Sequence, residues 1–227
     1  TIPTSRSDPL MESVMLAQPD YSALLTNIGR YTDMVRLKGG RLLTVRFVEQ
    51  KDAGALMSYF RALSRQSRYN RLMGAASELP SSELDKTLHV GEGSRFAVIA
   101  EMKANGADVI VGEARYSYNA ETRNTEFGLS IGDEWQGQGI GSAMLSNLEC
   151  RAAALGSFRL FGETFRNNEQ MIGLARKAGY SFGAAPSDWR QVRFEKPLYR
   201  ATDIPCESWK QAATAGWLRN EALLAVR

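Results

Sequence analysis

The chain has 227 residues, of which 44% are hydrophobic, 9% aromatic and 23% charged, ordinary globular values that exclude a disordered chain, a collagen and a disulfide scaffold. Lys and Arg number 28 against 25 Asp and Glu, a formal charge of +3, too slight an excess to point to nucleic acid. The two cysteines, Cys150 and Cys206, fit no metal spacing and no disulfide framework, and the apolar runs fall far short of the ~20 residues of a membrane span. Because no basic stretch followed by an apolar core opens the chain, no signal peptide is expected, and the reading is cytoplasmic.

Three segments follow in chain order. Residues 1–40 form an N-terminal arm that pauses at Gly39-Gly40, and within it Tyr21, Leu24, Leu25, Ile28, Tyr31 and Val35 recur at helical spacing after a cap at Asp20. Residues 41–198 form the main domain. Residues 199–227 form a C-terminal extension in which Trp209, Ala213 and Trp217 share a helical face. Both arms are expected to dock on the domain or on a second subunit, which would make a homodimer.

The main domain alternates strand and helix patterns. Leu42–Val48 reads as a strand. Asp52 caps a helix running to Leu63 with Leu56, Tyr59, Phe60 and Leu63 on its apolar face. A capping box at Ser82–Asp85 opens a short helix to Leu88. Arg95–Met102 and Asp108–Tyr118 form a hairpin about Asn105-Gly106. The strand Thr125–Ile131 leads through a glycine-rich loop to a helix from Gly139 to Leu155. A strand Arg159–Thr164, a helix Asn168–Ala178 stopped by Gly179, and a strand Gln191–Lys196 complete the domain. Hairpins followed by one strand–helix–strand unit imply a mixed α/β sheet, mostly antiparallel, and disfavour a doubly wound fold.

The loop Gly132-Asp133-Glu134-Trp135-Gln136-Gly137-Gln138-Gly139-Ile140-Gly141-Ser142 is the most informative stretch. Glycines where a strand meets a helix N-terminus leave amide donors bare, a setting suited to a pyrophosphate, although they also simply permit a tight turn. A P-loop would need a lysine after its last glycine, and Ser142-Ala143 follow Gly141 instead. A dinucleotide fingerprint would place its third glycine at Ser142, and the preceding strands do not open a βαβ repeat. The pattern Gln/Arg-x-x-Gly-x-Gly/Ala is met in full by Gln136, Gly139 and Gly141.

With Asn168 and Ala178-Gly179-Tyr180 downstream, residues 42–197 resemble the GNAT superfamily of N-acetyltransferases. Thr125–Gly137, Leu63–Arg71 and Gly162-Glu163-Thr164 are similar to the acetyltransferase domain of bacterial protein-lysine acetyltransferases. The resemblance implies acetyl-CoA as co-substrate, no metal, and two neighbouring strands, Thr125–Ile131 and Arg159–Thr164, splayed to admit the pantetheine arm. It implies that Gln136, Gly137, Gln138, Gly139, Ile140, Gly141 and Ser142 cradle the pyrophosphate. The backbone of Leu129, Ser130 and Ile131 would pair with the pantetheine amides, and Asn168 would contact the cofactor while also serving as a helix cap.

The expected activity is transfer of the acetyl group to a primary amine, a protein lysine ahead of a small amine. A non-catalytic acyl-CoA sensor with the same fold is the rival. An amine is protonated at neutral pH and needs a base to attack. The resemblance gives that role to Glu126, with Glu163 next in line, although holding an arginine is the plainer reading for Glu163. Many superfamily members carry a tyrosine seven residues after the asparagine to protonate the leaving sulfur. Here that position is Ala175, leaving Tyr180, Tyr116 or water. His89 reads as a dipole-facing or surface histidine at a helix end and Cys150 as a buried thiol; Arg65, Arg68 and Arg71 could reach the cofactor's phosphates or an acidic substrate, but a solvated or ion-paired helix face is the plainer reading.

Overall fold

The computed structural model describes residues 32–198, apart from 91 and 187. The helical spacing at Tyr21–Tyr31 and the C-terminal extension lie outside the described residues. Asp33–Arg36 is a strand, β1, and not the end of a helix; it pairs antiparallel with β2 (Leu42–Phe47) about the turn at Gly39-Gly40. The sheet therefore begins before the glycine pair. Asp33 is also anchored by residues far along the chain: its carboxylate accepts hydrogen bonds from Asn147 and, at 3.0 Å, from the fully buried Arg151. The pairing with β2 and this side-chain grip keep the segment extended despite its helical periodicity.

Three helices follow. In α1 (Ala53–Ala62), Leu56, Tyr59 and Phe60 are buried at helical spacing. In α2 (Arg65–Leu72), the Ser64 hydroxyl caps the first turn by accepting from the Ser67 amide at 3.1 Å, and Met73 ends the helix in the left-handed region. The third, α3 (Ser81–Leu88), opens behind Pro80 with no side-chain cap, so the box expected at Ser82–Asp85 does not form. At its end His89 is exposed, and the Asp85 carbonyl and carboxylate push its imidazole up from its ordinary value.

The centre of the sheet is β3 (Arg95–Ala104), β4 (Ala107–Asn119) and β5 (Asn124–Ile131), all antiparallel. The β3–β4 turn has positive φ at both Asn105 and Gly106, the twist that suits a two-residue hairpin. The long helix α4 (Ile140–Ala154) packs Ile140, Met144, Leu145 and Leu148 against Val98, Val111 and Ala114 in the main core. Cys150 is buried on this helix, but no cysteine among the described residues is free, so it is not the thiol that the sequence suggested. After β6 (Arg159–Phe165) come α5 (Glu169–Lys177), β7 (Ser181–Ala184) and β8 (Gln191–Pro197). The eight strands run β1-β2-β3-β4-β5-β6-β8-β7. Every neighbouring pair is antiparallel except β5 with β6, which gives the mixed, mostly antiparallel α/β sheet expected.

Candidate active site

The parallel pair β5–β6 parts early. Its register covers Asn124–Glu126 with Arg159–Phe161, yet β5 continues to Ile131 and β6 to Phe165. From Phe127 onward, the edge of β5 facing β6 has no strand partner, so its outward amides and carbonyls are open to a ligand that lies along them as an added strand would. A cavity of about 940 Å³ occupies the opening and is lined by Glu126, Gly128, Leu129, Ser130 and Ile131. The splay that the family resemblance implied is thus present, and Glu126 stands at its fork.

The far end of the cavity is the N-terminus of α4. Ala143 is the first residue of the loop–helix junction whose amide is taken, by the Gly139 carbonyl at 3.0 Å. The amides of residues 137–142 have no hydrogen-bond partner among the described residues. Gly139 caps the helix with φ +87°, and nothing lies within 4 Å of where its Cβ would be. The position therefore needs glycine for its backbone and leaves bare the amides that carry the helix's partial positive charge. A cradle of unpaired donors at one end of the cavity fits a pyrophosphate, with the open edge of β5 beside it fitting an amide-bearing arm.

The sequence-derived cradle residues play unequal parts. Gly137, Gly139, Gly141, Ser142 and Gln136 line the cavity. The Gln136 side chain nonetheless holds the loop, donating to the Ile131 carbonyl at 3.0 Å. Gln138 binds the Glu134 carbonyl and accepts from Arg41, while Ile140 is buried in the core; both offer the cradle only their amides. Asn168 lines the cavity and also caps α5, accepting from the Met171 amide at 3.3 Å and donating to the Thr164 hydroxyl at 2.8 Å.

A family model for the Acetyltransferase (GNAT) family matches residues 58–180, more than half of the chain. The chain belongs to the GNAT family. It is an acetyl-CoA-dependent acetyltransferase by that membership. An acetyltransferase of Pseudomonas aeruginosa is 24% identical over 156 residues, covering 69% of this chain and 84% of that protein. The GNAT domain of S. lividans PAT has a similar fold, with TM-score 0.66 and 24% identity over 74% of this chain and 97% of that one. So has spermidine N-acetyltransferase from Vibrio cholerae, solved with CoA and spermine, at TM-score 0.57 and 16% identity over 69% and 95% of the two chains.

Within this GNAT fold the side of the cavity away from α4 is walled by α2, α3 and a polar face of β4. Glu113, Arg115 and Ser117 alternate on that face opposite Ser130, Gly128 and Glu126. Arg71 grips the buried Glu113 with two bonds of 2.7 Å, and the Tyr69 ring stacks on Phe165 with centroids 4.9 Å apart, so α2 reaches from β4 to β6. Glu83 of α3 accepts from Arg115 and Lys86, each at 2.9 Å. The Lys86 bond leads in holding its carboxyl below the ordinary carboxylate range. Sequence reasoning did not single out Glu83, Lys86 or Arg115. The period-two run Glu113, Arg115, Ser117 inside a strand was the available sign.

Glu163 accepts from Arg193 at 3.0 and 2.7 Å, which makes it the arginine-holding carboxylate. Tyr116 touches the cavity, but burial pushes its hydroxyl up to about 12, making it a poor proton donor. Tyr180 packs edge-on against Phe127 and Phe194, outside the cavity lining, with its hydroxyl also pushed up by burial. Ala175 is fully buried. Among the described residues no group of three or more His, Cys, Asp or Glu could hold a metal, and no helix is long and apolar enough to cross a membrane.

Proposed function

We propose that this GNAT enzyme transfers the acetyl group of acetyl-CoA to a primary amine, a protein lysine ahead of a small amine, with Glu126 as general base. The observation that carries the proposal is that Glu126 stands exposed at the fork of β5 and β6 with no side-chain partner among the described residues. Other carboxylates of the cavity wall are engaged: Glu83 by Arg115 and Lys86, and Glu163 by Arg193. Acetyl-CoA would supply the thioester. The amides of residues 137–142 would hold its pyrophosphate, Leu129–Ile131 would align its amide-bearing arm, and Asn168 would face it from α5.

Glu126 would take one proton from the incoming ammonium, directly or through a water. The neutral nitrogen then bonds to the carbonyl carbon, the C–S bond breaks with its electron pair going to sulfur, and the second proton of the nitrogen passes, directly or through water, to the leaving thiolate, giving the amide and free CoA thiol. An amide on the open edge of β5 would stabilise the carbonyl oxygen as its charge grows. Preference for a lysine is supported by the likeness of Thr125–Gly137 and Leu63–Arg71 to the lysine-modifying branch.

Incubation with isotope-labelled acetyl-CoA and a panel of lysine peptides, polyamines and amino acids, read by mass spectrometry, tests the reading. Labelled N-acetyl products are expected, with peptides ahead of polyamines. Binding of CoA without product on any amine would instead identify an acyl-CoA sensor.

A further inference from the structure

Arg115 is positioned to do more than line the wall. Its Nη1 donates to Glu83 at 2.9 Å and its Nε lies 3.5 Å from Glu113, but Nη2 has no partner among the described residues. Nη2 is 3.8 Å from the point where a Cβ of Gly128 would stand. The guanidinium thus overhangs the one position between Glu126 and Ser130 on the cavity face of β5 that carries no side chain. Glu126 and Gly128 are two residues apart on that face, which sets Arg115 ~7 Å along the sheet from the fork.

The surrounding charges leave this guanidinium its attraction for an anion. Arg71 engages both oxygens of Glu113 at 2.7 Å, so that carboxylate is taken before Arg115 reaches it. Lys86 shares Glu83 in the same way. Three cations and two carboxylates leave the cluster with one positive charge beside the carboxylate of Glu126. An acceptor that complements the pair has its amine at Glu126 and an anion on the Arg115 side. A polyamine would instead set a second cation against Arg115, Arg71 and Lys86.

We propose that Arg115 selects acceptors whose amine is accompanied by a carboxylate, by donating from Nη2 to that group. The proposal rests on acetyl transfer at Glu126 as read above. The carboxylate has two sources, the side chain of an acidic residue beside a lysine in a peptide, or the main carboxylate of a free amino acid.

Paired acceptors that differ only in that group test it. Acetyl-Glu-Lys-amide is compared with acetyl-Gln-Lys-amide, and free lysine with lysinamide, in steady-state kinetics. A charge-assisted hydrogen bond predicts ~10–100-fold higher kcat/KM for the carboxylate-bearing member of at least one pair, mostly in KM. The pair that discriminates identifies the source. In Arg115→Gln the ratio is expected to collapse toward one, and Arg115→Lys, which keeps the charge and loses the fork, falls between. The wild-type ratios decide the matter even if Arg115→Gln folds poorly. Equal turnover within both pairs, or preference for the carboxylate-free members, overturns the selection while leaving acetyl transfer standing. Acetylation of no acceptor overturns the transfer reading and the selection together.

Discussion

Asp133 and Ser64 join the two halves of the cavity. One Asp133 oxygen accepts from the Ser64 amide at 2.7 Å; the other accepts from the Ser64 hydroxyl at 2.8 Å and from Ser67 at 2.7 Å. The carboxylate therefore sits at the N-terminus of α2, where a negative charge is favoured. It does so from the short turn that leads into the amide cradle. Through it, the helix carrying Arg71 is fixed relative to the loop expected to hold acetyl-CoA.

Asp133→Ala is expected to raise the KM for acceptor by ~3–10-fold through misplacement of α2, and to cost about 1 kcal/mol of stability, since the site is exposed. Partial burial pushes the Asp133 carboxyl up, but the bonds from Ser64 and Ser67 outweigh it and leave it below its ordinary value of 3.8. A depressed carboxyl contributes stability above its unfolded value that is lost as the pH falls through the folded one. Urea midpoints of wild type and Asp133→Ala should differ at pH 7 and converge below pH ~4.

Arg71 and Glu113 predict a different pattern. Their side chains are 5% and 2% exposed, so removing either leaves a charge with no water to solvate it. Glu113→Ala or Arg71→Met should each cost ~3–5 kcal/mol in denaturant unfolding, and Arg71→Met with Glu113→Leu should cost clearly less than the sum.

Gly162 faces the fork from β6. A Cβ there would lie 2.7 Å from the Phe194 ring and 3.0 Å from the Phe127 carbonyl. Gly162→Ala is expected to cost ~1–3 kcal/mol by overpacking. Because the carbonyl belongs to the first β5 residue beyond the pairing with β6, the same variant should also weaken acetyl-CoA binding, measured by titration calorimetry.

Gly139 tests the cradle itself. A branched side chain at φ +87° is strained, so it would distort the turn that carries the bare amides. Gly139→Val should raise the Kd for acetyl-CoA at least ~10-fold. An unchanged Kd in a folded variant would remove the pyrophosphate from this turn.

The sheet centre was legible because β3 carries a continuous apolar run from Phe96 to Ala100, because apolar and polar residues alternate along β5 and the second half of β4, and because Asn105-Gly106 specifies a hairpin. The glycine loop was legible because its φ values and bare amides depend on local residue types. Strand β1 was not, since Val35 continues a helical spacing while the pairing with β2 and the contacts of Asp33 with the distant Asn147 and Arg151 keep the segment extended. Strand β7 was missed because all four of its residues are exposed, leaving Phe182 as its one large apolar side chain. Arg115 was readable as a polar-face residue of a strand. Its bearing on the cavity depends on how α2 and α3 pack across it, which no local pattern records.

In the proposed mechanism Glu126 accepts the amine proton at the fork. The measurement that reaches it most directly is a comparison of Glu126→Gln with wild type, in acetyl-CoA binding and in single-turnover acetyl transfer to a lysine peptide. Transfer in Glu126→Gln should be slower by ~10²–10⁴ with the Kd for acetyl-CoA within about twofold, because the carboxylate is separate from the cradle of residues 137–142. A Glu126→Gln enzyme that transfers acetyl at the wild-type rate would contradict it.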